Sequence, residues 1–298
     1  MALLRTGGVV AFPTETVYGL GADAENEQAV RRVFAIKGRP AGHPVIVHVA
    51  DASQLDAWAR EISAEARMLV ERFWPGPLTL VVSRNTRASD VVTGGQDTVA
   101  VRAPAHPIAQ DILQRFGGGI IAPSANLFGT VSATHAEHVA ADLGDAVDLI
   151  VDGGPATIGI ESTILDVAHG TPAILRPGGI TREQLSEALG IDVAEAGDSR
   201  VRVPGSLPSH YAPRARVELV DTDRNADARA ERLRAGGLRT QVIHAEDVVP
   251  FAHELYERFR AADRAGVDAI VVVLPADTGL GVAVRDRLRR AAARSSRG

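Results

Sequence analysis

Residues 9–36 read VVAFPTETVYGLGADAENEQAVRRVFAI, and this stretch decides the fold class. It opens with a short apolar run at 9–12 that predicts a strand. A polar loop follows, and from 27 to 36 apolar residues recur with helical spacing after Asn26, an N-cap residue type. A strand followed by a helix is the repeating unit of an α/β protein.

The same alternation of strands and helices continues beyond this stretch. Further strands are predicted at 45–49, 78–82, 99–102, 120–122, 149–151, 163–167 and 174–176. Further helices are predicted at 64–73, 108–116, 136–143 and 182–189. The sequence therefore predicts an α/β fold with long connections rich in glycine and proline.

A domain boundary is predicted after residue 200. Residues 203–214 read VPGSLPSHYAPR, with three prolines and one glycine, and so can form neither a helix nor a strand interior. After this segment the alternation restarts, with strands near 217–220, 241–244 and 269–274 and helices near 226–234, 252–265 and 282–293. We therefore expect a first domain at 1–200, a linker at 201–215 and a smaller α/β domain at 216–298.

The composition excludes several kinds of site. The chain has 298 residues, of which 45% are apolar, and this suffices for about two domains. It has no cysteine, which excludes disulfides, thiolate zinc sites, iron–sulfur clusters and cysteine nucleophiles. No run reaches the ~18 apolar residues of a membrane span, and a net charge of −5 argues against a broadly basic surface. We expect a soluble, cytoplasmic protein without a membrane partner.

Several common site signatures are missing from the sequence. Lys37, the single lysine, is followed by Gly38 and Arg39 rather than by Ser or Thr, so the chain has no P-loop. No Gly-x-Ser-x-Gly elbow occurs, which argues against an α/β-hydrolase. His135 and His138 stand three residues apart on a predicted helix, and we interpret them as surface residues rather than as a metal pair.

Four cationic residues lie near the predicted ends of strands and helices: Lys37, Arg39, Arg102 and Arg176. Open α/β sheets build their sites at strand ends, and guanidinium groups bind phosphates and carboxylates through two hydrogen bonds. The pattern therefore indicates an anionic substrate. It favours phosphoryl or nucleotidyl chemistry without a protein nucleophile, in which positioned cations and Mg²⁺ stabilise the charge at phosphorus.

Seven motifs, in this order, give the chain a resemblance to a known family. They are PTETVYGLG (13–21), KGRP (37–40), HPVIVHV (43–49), WPGPLT (74–79), APSAN (122–126), EST (161–163) and LRPG (175–178). In these motifs the chain resembles the Sua5/YrdC/YciO family over about residues 4–180. The linker motif PGSLPSHYAP (204–213) and the stretches 255–263 and 286–292 resemble the Sua5 branch, which carries a second domain.

The resemblance implies a fold and a reaction. The implied fold is a YrdC-like twisted mixed sheet with a large concave cavity, followed by a small Rossmann-like domain. The implied activity is that of an L-threonylcarbamoyladenylate synthase, a nucleotidyltransferase that converts L-threonine, bicarbonate or CO₂ and ATP into L-threonylcarbamoyl-AMP and pyrophosphate. The product serves t⁶A modification of tRNA through downstream threonylcarbamoyl transferase machinery, and Mg²⁺ is the implied cofactor, with ligands that the resemblance leaves unassigned.

The resemblance also assigns residues. Those expected to hold L-threonine are Thr16, His48, Arg102, Ser162 and, through its backbone, Ala122. Those expected to hold ATP are Arg39, His43, Thr98, Ser124, Ser132, Arg176 and the linker residue Tyr211. The expected catalytic residues are Lys37, Arg39, Ser124 and Asn126. Thr14 competes with Thr16 for the substrate, and His48 is either a base or a positioning group.

Two other functions fit part of the pattern. A nucleotide-binding or double-stranded-RNA-binding relative without synthase activity would not need the linker and the second domain, so these features favour the synthase. A carbamoyl transferase of the hydrogenase-maturation type would need zinc-finger and acylphosphatase-like domains, for which the chain lacks the cysteines and the length. The six arginines at 285–297 form either a solvated helix face or an RNA contact.

Overall fold

The protein folds into two compact units. The computed structural model describes residues 1–197, 201–205, 207 and 209–293. The first unit comprises Met1–Phe128 and Ala133–Ser206, and the second comprises Gly129–Ser132 and Leu207–Gly298. The sequence pattern did not indicate that 129–132 would join the second unit. The last two arginines of the basic tail, Arg294 and Arg297, lie outside the described residues.

Within the described residues, the first unit contains a ten-stranded mixed sheet. Its strands are β1 (Val10–Phe12), β2 (Gly19–Asp23), β3 (Ile46–His48), β4 (Leu78–Ser83), β5 (Thr98–Arg102), β6 (Ile120–Ile121), β7 (Leu149–Ile150), β8 (Thr163–Asp166), β9 (Ala173–Arg176) and β10 (Ala194–Glu195). The strand order is β10-β9-β8-β4-β5-β3-β6-β2-β1-β7. The helices are α1 (Ala2–Arg5), α2 (Glu27–Lys37), α3 (Ala64–Phe73), α4 (Asp90–Thr93), α5 (Pro107–Phe116), α6 (Ala136–Leu143) and α7 (Arg182–Leu189).

Local capping chemistry sets the helix ends. The Asn26 side chain accepts hydrogen bonds from the backbone N–H groups of Gln28 and Ala29, and α2 therefore begins at Glu27. The helix ends where Gly38 takes the left-handed conformation at φ 62°. A reciprocal capping box between Thr181 and Gln184 starts α7. These signals lie in the sequence itself, and the observed bounds of α3, α6 and α7 coincide with the predicted ones.

Strand β2 was not predicted, because two of its five residues are glycines, which weaken a strand signal. The structure pairs it antiparallel with β1 and β6. A Cβ on Gly21 would lie 2.5 Å from the Phe12 ring, and one on Gly19 would lie 2.9 Å from the Cβ of Ala122. Both glycines are therefore needed for close packing rather than for a turn.

Replacing Gly21 with alanine is expected to destabilise the protein by about 1–3 kcal/mol, because the added methyl overpacks a site bounded by Phe12 and the Val10 backbone. The measurement is the midpoint of urea unfolding. Gly197→Ala is the matched control, because nothing lies within 4 Å of a Cβ at Gly197. Equal midpoints for the two variants would contradict the packing argument.

The two faces of the sheet differ in character. Val47, Leu80 and Val101 lie on one face and join the main apolar core with residues of α2, α3 and α7. Because side chains alternate along a strand, Ile46 and Ala100 lie on the opposite face, in a smaller apolar cluster. We call this opposite face the second face of the sheet.

The second unit is a small α/β unit. Its strands β11 (Arg216–Val220), β12 (Thr240–Ile243) and β13 (Ala269–Val273) pair in parallel in the order β11-β13-β12. Its helices are α8 (Asp223–Ala235), α9 (Val248–Arg264) and α10 (Leu280–Ala292). The predicted α/β fold, with a mixed sheet and a second small α/β unit, is confirmed. Among the described residues, no helix combines the length and apolarity needed to cross a membrane.

Candidate active site

Strand pairing gathers polar residues on the second face of the sheet. His48 of β3 pairs with Arg102 of β5, while Ile164 of β8 pairs with Thr79 of β4 and with Arg176 of β9. Paired residues, and residues two apart on one strand, share a face. The polar residues that this rule places on the second face are His48, Thr79, Thr98, Arg102, Ser162 and Arg176, all of them buried. Five of these six are predicted site residues, and Thr79 is the addition.

The loop after β1 is ordered by a threonine side chain. Thr14 Oγ1 donates to the Val17 carbonyl at 2.6 Å and accepts from the Val17 N–H at 3.2 Å. It also lies 2.8 Å from Thr16 Oγ1. Because Thr14 is occupied in this turn, it positions Thr16, and Thr16 is the residue of the two that meets Arg102.

Arg102 is held by three different partners. Its Nε donates to the Gly76 carbonyl at 3.1 Å, its Nη1 to Thr16 Oγ1 at 2.9 Å and its Nη2 to Glu15 Oε1 at 2.6 Å. A guanidinium has five N–H donors, and within the described part of the chain two of those of Arg102 have no acceptor. The Arg102 side chain is 4% exposed, and its orientation is thus fixed before any substrate arrives.

His48 is buried beside this arginine. Burial, and then the positive charge of Arg102, lower the pKa of His48 to about 3. The imidazole is therefore neutral at physiological pH. A neutral ring can position a substrate, and its low pKa makes it a weak base, so the structure favours the positioning role.

The low pKa of His48 predicts how stability depends on pH. Its pKa is about 6.5 when unfolded and about 3 when folded, so between these values the unfolded chain binds the extra proton. The free energy of unfolding is therefore expected to fall with decreasing pH through this window, by up to about 1.4 kcal/mol per pH unit from this group.

The measurement is urea unfolding from pH 3.5 to 7.5 for the wild type and for His48→Gln. The variant should show a shallower dependence, while other groups titrate equally in both proteins. Superimposable pH profiles would contradict the shifted pKa of His48.

Ser162 and Arg176 form a second part of the site. Arg176 donates through Nη2 to the Ser162 carbonyl at 2.8 Å and to Ser162 Oγ at 3.1 Å. The Ser162 hydroxyl also lies 2.8 Å from Thr79 Oγ1. Thr79 was seen as part of a motif but was given no role in the sequence analysis, because its partner is 83 residues away in the chain.

Lys37 ties the end of α2 to the segment that follows β6. Its ammonium donates to the Ser124 carbonyl and, at 2.6 Å, to the Asn126 carbonyl. Burial, then the charge of Arg39, lower the pKa of Lys37 to about 7. The lysine thus holds the backbone that carries two predicted site residues, Ser124 and Asn126.

Arg39 and His43 lie together next to an aromatic ring. Arg39 Nη2 donates to the Pro44 carbonyl at 2.6 Å, and its guanidinium lies 5.7 Å from the centroid of the Phe128 ring. The His43 ring centroid lies 5.7 Å from that of the same phenylalanine. Burial, then the charges of Arg39 and Arg202, lower the pKa of His43. We call the region around Arg39, His43 and Arg202 the cationic corner. Its positive charge is what an anion-binding site requires.

Arg202 is a residue that the sequence analysis missed. It follows the first domain in what was treated as linker, yet its guanidinium donates to the Gly42 carbonyl at 2.7 Å and to the Gly94 carbonyl at 2.7 Å. Its backbone N–H donates to the Gln96 side chain. Its only signal in the sequence was its charge, and charge alone does not reveal a contact with a residue 160 positions away.

The remaining predicted residues are placed as follows. The Ala122 N–H donates to Ile46, so a backbone contact to a ligand would come from the Ala122 carbonyl. Ser132 and Tyr211 belong to the second unit. The Tyr211 ring is buried there under the Arg287 guanidinium, 5.0 Å from the ring centroid, and its backbone has φ 61°.

The interpretation of His138 as a surface residue is wrong. The ring is buried, with 6% of the residue exposed, and its Nδ1 accepts a hydrogen bond from the Thr134 N–H at 3.2 Å. This bond caps the turn before α6. The first turn of that short helix packs inward, which an i, i+3 spacing alone does not reveal.

Comparison with known protein families gives two matches along the chain. The Sua5, YciO and YrdC family model, described as telomere recombination, matches residues 2–178. The model described as threonylcarbamoyl-AMP synthase, C-terminal domain, matches residues 180–293. The threonylcarbamoyl-AMP synthase of Pyrococcus abyssi is 43% identical, covering 97% of this chain and 91% of that protein. That of Bacillus subtilis is 41% identical, covering 98% and 91%.

Solved structures agree with these matches. The crystal structure of P. abyssi Sua5 complexed with L-threonine superposes with a TM-score of 0.94 at 41% identity, covering 99% of this chain and 93% of that one. The crystal structure of E. coli YciO superposes with a TM-score of 0.52 at 26% identity, covering 59% of this chain and 86% of that one. The similarity to P. abyssi Sua5 therefore extends over a much larger part of the chain than the similarity to E. coli YciO does.

Proposed function

Because the chain belongs to the Sua5/YciO/YrdC family and carries the Sua5 C-terminal domain, we propose that it is a threonylcarbamoyl-AMP synthase. The single observation that carries this proposal is the similarity along nearly the whole chain, in both domains, to proteins of that name. The buried Arg102, with two N–H donors left beside Thr16 and His48, supports a site for a small carboxylate.

L-threonine is the amino-acid substrate of the proposed reaction. Arg102 binds its carboxylate through the two remaining N–H groups. Thr16, in the loop after β1, and Ser162, on the second face of the sheet, offer hydroxyl groups. His48, neutral at physiological pH, positions the substrate, and the Ala122 carbonyl supplies a backbone acceptor. A likeness to Sua5 complexed with L-threonine supports this assignment.

ATP and bicarbonate or CO₂ are the other proposed substrates. The threonine ammonium first loses a proton to become an amine. The amine nitrogen then attacks CO₂, and the loss of a second proton from nitrogen gives the carbamate. A carbamate oxygen then attacks the α-phosphorus of ATP, and the bond to pyrophosphate breaks. No covalent bond to the protein forms in this sequence, in keeping with a site built from cations and hydroxyl groups rather than from an activated nucleophile.

The proposed nucleotide contacts come from the cationic corner and its neighbours. Arg39, His43 and Arg176 supply positive or N–H donor groups for phosphate oxygens. Thr98, Ser124, Ser132 and Tyr211 are further proposed contacts. Lys37 and Asn126 hold the segment that carries Ser124, and so act on turnover by positioning.

Mg²⁺ is proposed as a companion of ATP. Mg²⁺ in nucleotide sites is usually held by substrate phosphates and waters together with one or two carboxylates, so we expect ATP to bring the ion to the site. We therefore assign Mg²⁺ no protein ligand and no step. Transfer of the product to tRNA by downstream t⁶A machinery, and a cytoplasmic location, complete the proposal.

The proposed function is tested by pyrophosphate release. Purified protein with ATP, Mg²⁺ and bicarbonate is expected to release pyrophosphate only when L-threonine is added. Release that is equal with and without threonine would contradict the proposal, as would no release with all substrates present.

A further inference from the structure

Glu15 has one oxygen bonded to Arg102 and a second oxygen without a donor. Oε1 accepts from Arg102 Nη2 at 2.6 Å, and the two side chains are 9% and 4% exposed. Among the described residues, Oε2 is buried and has no hydrogen-bond partner. An unsatisfied buried carboxylate oxygen is unfavourable, and a ligand that donates to it removes the cost.

The Glu15–Arg102 pair therefore lacks two hydrogen-bond partners of opposite kinds, an acceptor for Arg102 and a donor for Glu15. Among the described residues, two N–H donors of Arg102 have no acceptor and suit an anion, while Glu15 Oε2 has no donor and binds a cationic N–H group most strongly. A free α-amino acid carries both groups on one carbon atom. No simple carboxylate or amine meets both requirements.

We propose that Glu15 is a specificity-determining residue that accepts a hydrogen bond from the substrate ammonium through Oε2 while Arg102 binds the substrate carboxylate. This inference rests on the proposed function, since it takes L-threonine as the substrate. It adds a residue that lies in the PTET motif but was assigned no role by the motif itself.

The charge balance explains why such a residue is useful. Arg102 alone would attract any small anion of the right shape. Glu15 cancels much of that charge at short range. An anion without an ammonium group therefore gains less binding free energy from Arg102 and is repelled by the buried carboxylate of Glu15. A zwitterion gains both contacts, so the pair selects free amino acids and rejects hydroxy acids.

The test compares three ligands by calorimetry on the wild type and on Glu15→Gln. They are L-threonine, (R)-3-hydroxybutanoate, which lacks the ammonium, and (R)-1-aminopropan-2-ol, which lacks the carboxylate. The wild type should bind threonine at least about tenfold more tightly than either fragment. The variant should bind threonine about 10–100-fold more weakly, the range of a lost charge-assisted hydrogen bond, and (R)-3-hydroxybutanoate equally or more tightly.

A control variant distinguishes recognition of the substrate by Glu15 from a purely structural role of this residue. Glu218→Gln removes a carboxylate that pairs with Arg229 in the second unit and should leave all three affinities unchanged. If Glu15 only holds Arg102 in place, Glu15→Gln will weaken threonine and (R)-3-hydroxybutanoate by the same factor. That result would overturn the inference.

A structure of the wild type with L-threonine decides the question even if the variant does not fold. The substrate nitrogen should lie within hydrogen-bond distance of Glu15 Oε2, and a separation beyond about 4 Å would overturn the inference. Failure of the proposed function would look different, because the wild type would then not bind threonine or form its adenylate. A wild type that does both, with an unchanged ligand ratio in Glu15→Gln, would reject the role of Glu15 alone.

Discussion

Arg102→Ala is expected to lower kcat/KM for L-threonine by about 10²-fold or more while changing the affinity for ATP little. The reason is that the guanidinium is buried and oriented by Gly76, Thr16 and Glu15, so the carboxylate contact that we propose for it would be preorganised and shielded from water. Truncating one partner of such a charged contact costs about 2–5 kcal/mol. Steady-state kinetics with each substrate varied in turn gives both values.

The same substitution leaves the buried Glu15 carboxylate without its partner, which destabilises the fold by about 3–5 kcal/mol. The double variant Arg102→Ala with Glu15→Gln should recover much of that stability and none of the threonine activity. Arg182→Ala is the control, because Arg182 pairs with Asp192 at the surface. Equal losses of threonine and ATP affinity would contradict the carboxylate assignment.

Lys37→Met is expected to lower turnover on the order of 10²-fold, because it releases the carbonyls of Ser124 and Asn126 from the ammonium that holds them. Each charge-assisted hydrogen bond of this kind contributes about 1.5–3 kcal/mol. Turnover is measured as threonine-dependent pyrophosphate release. Arg31→Met, on the exposed side of the same helix, should leave turnover unchanged.

The pH dependence of stability distinguishes a buried Lys37 from a solvent-exposed one. The pKa of Lys37 is about 7 when folded and 10.5 when unfolded, so between these values the unfolded chain binds more protons. The free energy of unfolding of the wild type should therefore rise with pH across this window relative to Lys37→Met. A constant difference between the two proteins would contradict burial of an ammonium at this position.

Much of the fold could be predicted from local signals. The bounds of α3 could be read because Ser63 caps its first turn and apolar residues recur with helical spacing. The alternation of strands and helices gave the class of both units. Strand β2 could not be predicted, because its glycines are required by contacts with Phe12 of β1 and with Ala122, which follows β6.

Sequence reasoning named five of the six buried polar residues on the second face of the sheet, but it did not give the contacts between them. The motifs named Arg102, and the resemblance assigned it to threonine. They did not show that Glu15, 87 residues earlier, would bind the same guanidinium, because that contact depends on how β5 and the loop after β1 meet in the fold. Likewise, the sequence placed Lys37 among the expected catalytic residues, but it did not reveal the hydrogen bonds of this lysine to two backbone carbonyls.

The most direct measurement follows the carbon of bicarbonate into the product. Purified protein is incubated with ATP, Mg²⁺, L-threonine and ¹³C-bicarbonate, and the nucleotides are analysed by mass spectrometry. The account predicts an AMP adduct that carries both the threonine residue and one ¹³C atom, formed by the wild type and lost in Arg102→Ala. Consumption of ATP without such an adduct, or an adduct without the label, would contradict it.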